Sequence, residues 1–118
     1  MQTIDQALER LQRSRFRSRF HLSQKEKEYI RKKGWEEIRC HAEEFIRTRL
    51  APAQPKNDGR QTPMRGHPVF VAQHACACCC RTCLFKWYKV PAGRELTARQ
   101  QTKIVNLLMT WMHREMEE

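Results

Sequence analysis

The stretch His67-Pro-Val-Phe-Val-Ala-Gln-His74-Ala-Cys76-Ala-Cys78-Cys79-Cys80-Arg81-Thr82-Cys83 places two imidazoles and five thiols within seventeen residues. Imidazole and thiolate are the side chains that bind zinc, and a thiolate is also a nucleophile. Cys80 and Cys83 stand three apart, and Cys76 and Cys79 repeat that spacing. On a helix this is a rise of about 4.5 Å, a gap that two sulfurs each about 2.3 Å from zinc can span. His67 and His74 share a helix face, but their seven-residue separation is a rise of about 10.5 Å, so they meet at one metal only if the backbone breaks between them. A mixed site of His74, Cys80 and Cys83, completed by His67, Cys79 or a remote ligand, asks less of the chain. The remote candidates are Cys40, His41, His21 and His113, and none forms a second ligand pair at the spacing of a complete zinc module.

Two other readings compete for the same residues. Cys76, Cys79, Cys80 and Cys83 fall at i, i+3, i+4 and i+7, the spacing of a buried helix stripe, and free cysteine packs as a small hydrophobe. A nucleophilic cysteine is the enzymatic reading: Cys79, Cys80 or Cys83 with His74, helped by a helix N-terminus or by Arg81. No glycine-rich phosphate loop, paired-carboxylate constellation or nucleophile elbow accompanies it. An iron–sulfur cluster is disfavoured, because its cysteines usually come from separated loops.

A second feature lies upstream. Between Arg10 and Lys33 the chain carries Arg13, Arg15, Arg17, Arg19, Lys32 and Lys33 among ten basic residues, against Glu26 and Glu28. Phe16 and Phe20 sit between the arginines, a mixture that serves phosphate contact with base stacking. A solvated helix face with the two phenylalanines in the core is the plainer alternative. The net charge of +10 and pI near 9.8 point to attraction for nucleic acid or another polyanion. No apolar face runs opposite the charges, so a membrane surface is not expected.

The elements that must position these residues are mainly helical. Thr3-x-x-Gln6, Ser23-x-x-Glu26 and Thr97-x-x-Gln100 have the form of capping boxes. They predict helices from 4 to about 13, from 24 to about 33 and from 98 towards the C-terminus. Gly34 suits a helix end, and a third helix runs from Trp35 to before Pro52 with Ile38, Ala42, Phe45, Ile46 and Leu50 on one stripe. Ser14 to Leu22 reads as an irregular link in preference to an extended arm. Residues 51–66 read as a long loop with a turn at Asn57-Asp58-Gly59, placed where a lid or clamp over the His/Cys segment would sit. Pro68 fits the first turn of a helix that reaches Tyr88 or Lys89, either whole or broken near Ala75 to Cys78.

These elements make a mainly α fold, a bundle of four or five helices in a single domain over residues 1–118. With 118 residues and 40% hydrophobic content, one core is within reach and staples are optional. Clustered cysteines make a poor disulfide framework, so reduced thiols are expected. The opening residues carry no basic region leading into an apolar core, so no secretory signal is read and a cytoplasmic location is expected.

Ser14-Arg-Phe-Arg-Ser-Arg-Phe, Asn57-Asp-Gly-Arg-Gln-Thr-Pro-Met-Arg-Gly-His-Pro-Val-Phe-Val-Ala-Gln-His and Cys79-Cys-Arg-Thr-Cys-Leu-Phe-Lys-Trp together resemble the bacterial domain of unknown function 4186 family over nearly the whole chain. The resemblance implies a small one-domain bacterial protein and no particular reaction. It also implies threonine as the common residue at the positions of Cys76 and Cys78, and histidine at that of Tyr88. The ligand candidates narrow accordingly to His67, His74, Cys79, Cys80 and Cys83. The expected function is a zinc-binding module that contacts nucleic acid or another polyanion. A small cysteine-dependent enzyme or redox protein is the first alternative, and a metal-free helical interaction protein the second.

Overall fold

The structure, a computed structural model, describes residues 2–57 and 59–117. Six α-helices form among them: α1 (Ile4–Gln12), α2 (Gln24–Lys33), α3 (Trp35–Phe45), α4 (Pro68–Ala75), α5 (Arg81–Tyr88) and α6 (Ala98–Met116). The number exceeds the four or five expected because the segment after Pro68 is split in two. All three capping boxes form: Thr3, Ser23 and Thr97 each accept from the backbone N–H three residues on, and Gln6, Glu26 and Gln100 accept from the cap residue's own N–H. Gly34, at φ +85°, ends α2 and starts α3. From Ile46 to Leu50 the chain widens into a π turn, closed by the Ala51 N–H on the Ile46 carbonyl at 2.8 Å.

Burial is organised around α4. All eight of its residues are buried, the polar Gln73 and His74 among them, and a helix with no solvated face sits inside the core. It packs against α6, α2, α3 and a short 3-10 turn, Arg17–Arg19, in the link after α1. Every helix contributes to one hydrophobic cluster, with Leu8, Ile30, Ile38, Val69, Leu84 and Leu108 among its members.

The break after α4 has a definite cause. Ala77 takes a left-handed conformation, φ +59°, and its N–H reaches the His74 carbonyl while the Cys78 N–H reaches the Gln73 carbonyl. This pair of bonds is the Schellman ending, which usually has glycine at the left-handed position. The chain after it runs through Cys79 to Cys80, the N-cap of α5.

The long loop is anchored at its far end. The Thr62 hydroxyl donates to the Cys79 carbonyl at 2.8 Å, and the Thr62 and Pro63 carbonyls face His74 Nε2, each at 3.2 Å. Of the predicted Asn57-Asp58-Gly59 turn, Asp58 lies outside the described residues; Asn57 and Gly59 both have positive φ. Buried Arg81 donates to the carbonyls of Leu50, Ala51, Pro52, Pro91 and Arg94, tying the π turn to the connection before α6. No helix among the described residues is long and apolar enough to cross a membrane.

Candidate metal centre

The turn between α4 and α5 gathers three thiols. Cys79 lies in the turn, Cys80 caps α5 and Cys83 follows in the first turn of that helix. Their sulfurs all lie within 4.8 Å of one another, a spacing that could hold a metal ion. The Cys83 N–H donates to Cys80 Sγ at 3.4 Å, so Cys80 serves both as a potential ligand and as a helix cap. Cys79 and Cys80 are 7% and 6% exposed, and Cys83 is half-buried.

Arg17 closes the cluster from the link. It is 8% exposed. Its Nη2 lies 3.1 Å from Cys83 Sγ, and its Nη1 lies 3.7 Å from Cys79 Sγ and 2.7 Å from the His74 carbonyl. Among the described residues no carboxylate lies within ion-pair distance of it. A buried guanidinium cannot shed its proton and needs an anion nearby. Among the described residues sulfur is the only anion-forming group that it touches, so the arrangement favours thiolate.

The titration behaviour carries the same signature. Burial works to lower the Arg17 value, but its hydrogen bonds and proximity to Cys79 and Cys83 raise it overall. Cys79 is lowered to about 7, first by its hydrogen bond with Cys83 and then, against burial, by Arg17. Cys83 is pushed up by the same bond to Cys79 and by burial. The two thiols behave as a pair that gives up one proton readily and holds the other. Cys80 is raised by burial.

The remaining predicted ligands lie apart from the three sulfurs. Neither histidine joins the group. The ring of His74 stacks on Phe20, with centroids 5.7 Å apart. Two carbonyls face its Nε2, so the proton sits on that nitrogen. His67 caps α4, its Nδ1 accepting from the Val69 N–H at 3.0 Å. Only a lone pair can meet an N–H, so the neutral ring carries its proton on Nε2. That atom lies 3.0 Å from His41 Nδ1 and donates to it. His41 in turn presents Nε2 to Glu37, 3.5 Å away. His67 is thus engaged at both nitrogens, and burial, then His41, lowers its pKa to about 4. Cys76 and Cys78 are fully buried core residues, and the Tyr88 hydroxyl donates to the Cys76 carbonyl.

The basic residues divide as well. Arg13, Arg15, Arg19, Lys32 and Lys33 are exposed, whereas Arg17 turns inward to the thiols. Phe16 is 50% exposed, and Phe20 packs edge-on against it with centroids 5.3 Å apart. Nothing in the alternation of Arg15, Arg17 and Arg19 singles out the middle one. Thr62, far in sequence from its contacts with Gln73, His74 and Cys79, carried no sequence signal either.

No solved structure matches the chain. A family model described as Domain of unknown function (DUF4186) matches residues 5–113. That span takes in the link that carries Arg17, the whole thiol cluster and all but the last turn of α6, and the chain belongs to the DUF4186 family.

Proposed function

We propose that this protein is a zinc-binding module in which Cys79, Cys80 and Cys83 supply three thiolates and Arg17 balances their charge. The carrying observation is a buried arginine directed at sulfur in place of carboxylate. Three thiolates around a dication leave one negative charge, which one guanidinium cancels. A monovalent ion would leave a second charge uncompensated in a buried site. No further histidine, cysteine or carboxylate among the described residues joins the group, so the fourth position falls to water or an incoming ligand. The ion's role is to fix the α4–α5 turn and, through Arg17, the link after α1. The exposed Arg13, Arg15, Arg19, Lys32 and Lys33 then supply the contact with nucleic acid or another polyanion.

Elemental mass spectrometry of reduced protein purified without added metal, paired with melting in chelator, tests the centre. About one equivalent of zinc and a lower melting temperature in chelator are expected, with zinc lost in Cys80→Ser and Cys83→Ser. Metal-free protein whose melt ignores chelator overturns the proposal. The lowered Cys79 supports a second reading, a thiol-dependent enzyme or redox protein. That reading requires fast alkylation of Cys79 by iodoacetamide and a protein that carries no zinc.

A further inference from the structure

A recess lies away from the sulfurs, where the link after α1, the first half of α2 and the end of the long loop meet. It has a volume of about 710 Å³. We propose that this cleft binds single-stranded nucleic acid, seating one nucleotide while a neighbouring base stacks on Phe16. The inference rests on the polyanion contact proposed above and names its partner.

Charge and shape carry it. Arg19, Lys25 and Arg65 reach the cleft from three different segments, and all three are exposed. None has a carboxylate within ion-pair distance among the described residues. The one carboxylate in the lining, Glu26, is engaged with the Ser23 N–H in the α2 cap. The cleft is therefore cationic, with phosphate-binding groups not committed to internal pairs. Phe20 and Tyr29 give it aromatic walls. Phe16 extends that surface outward, half-exposed and held edge-on by Phe20.

Aromatic rings set among arginines and lysines suit unpaired bases, whose faces are free to stack, with phosphates beside them. A duplex keeps its bases stacked on one another and offers side chains only groove edges and phosphates. A half-exposed phenylalanine gains little from a duplex. The cleft volume is likewise that of a small-ligand site, fit for one nucleotide at a time.

The test uses the full chain and a labelled oligothymidylate, with a duplex of matched length and charged homopolymers as competitors. Binding is followed by fluorescence anisotropy over a salt series. The single strand is expected to bind at least about tenfold tighter than the duplex, with affinity falling steeply as salt rises. Lys25→Glu and Arg65→Glu should each weaken it by roughly tenfold, and Phe16→Ala by about fivefold or more. Arg99→Glu, on α6, should change it less than about threefold. Circular dichroism melts verify that each variant is folded, and Lys25→Gln or Arg65→Gln replaces one that is not. Equal affinity for duplex, equal displacement by polyglutamate, or cleft variants no weaker than Arg99→Glu would overturn the inference. If Arg13→Glu and Lys32→Glu weaken binding while the cleft variants do not, the polyanion contact stands and the cleft assignment falls. No binding to any polyanion removes both.

Discussion

Arg17 loses most of its hydration when the 3-10 turn folds it over the end of α4, and what it gains there is two sulfurs and a carbonyl. Desolvating a cation costs several kcal/mol unless an anion stands opposite. The thiols are therefore part of what holds the link in place, and the arginine is part of what lowers Cys79. In reduced, metal-free protein the Cys79 thiolate should appear as pH rises through about 7. An ordinary cysteine ionises nearer 8.5. Arg17→Met removes the cation and leaves burial and Cys83 acting on Cys79, so the midpoint should move upward. At pH 7 the alkylation rate of Cys79, followed by peptide mass spectrometry, should fall by about threefold to tenfold. An unchanged pH profile in Arg17→Met would mean that the guanidinium is not what holds the thiolate. Cys80 and Cys83 could be read from their spacing, because ligand spacing is a local property, whereas Cys79 stood among several candidates for a further ligand. Arg17 could not, since its neighbours Arg15 and Arg19 are chemically identical and only the tertiary path of the link separates them.

The helix starts were readable for the same local reason. A capping box completes two hydrogen bonds within four residues and needs nothing from the rest of the chain. The end of α4 is different. Its left-handed position is Ala77, where glycine would have announced the turn, so the sequence left both a whole and a broken helix open. The break at Ala77 leaves Cys79 in the turn and makes Cys80 the cap of α5. The start of α4 also hid its device: His67 looked like a ligand and is a cap, joined through His41 to α3. This contact titrates. Burial and then His41 hold His67 near 4 in the folded protein, whereas it titrates near 6.5 unfolded. As pH falls from about 6.5 towards 4 the unfolded chain takes up a proton that the folded one refuses, so stability declines across that window. Burial also lowers His74, which adds to the slope in the same direction. Melting temperature should therefore drop between pH 7 and pH 5, and His67→Asn, which keeps a capping oxygen, should shrink the drop while lowering the pH 7 value. An equal drop in the variant would show that other groups set the acid sensitivity.

At the scale of the whole molecule the charge is the dominant fact. A net +10 sits on a body of 36 × 28 × 23 Å. The Debye length is about 30 Å at 0.01 M salt and about 10 Å at 0.1 M. In dilute buffer nearly every cation therefore repels every other across the fold, while at higher salt only near neighbours interact. Such self-repulsion destabilises the compact state. It is retained here on exposed residues such as Arg15, Arg19, Lys25 and Arg65, none of which is in an ion pair among the described residues. The melting temperature of the free protein should rise as sodium chloride increases from about 10 mM to about 150 mM. For a domain of this size each 1 kcal/mol of relieved repulsion is worth roughly 3–6 °C. A polyanion that binds the folded state should raise the melt most at low salt and progressively less as salt competes for the same cations. The two curves, free and polyanion-bound, should converge as salt rises. If the free protein is indifferent to salt, its positive charges are compensated within the fold, and the basic surface is not held open for a partner.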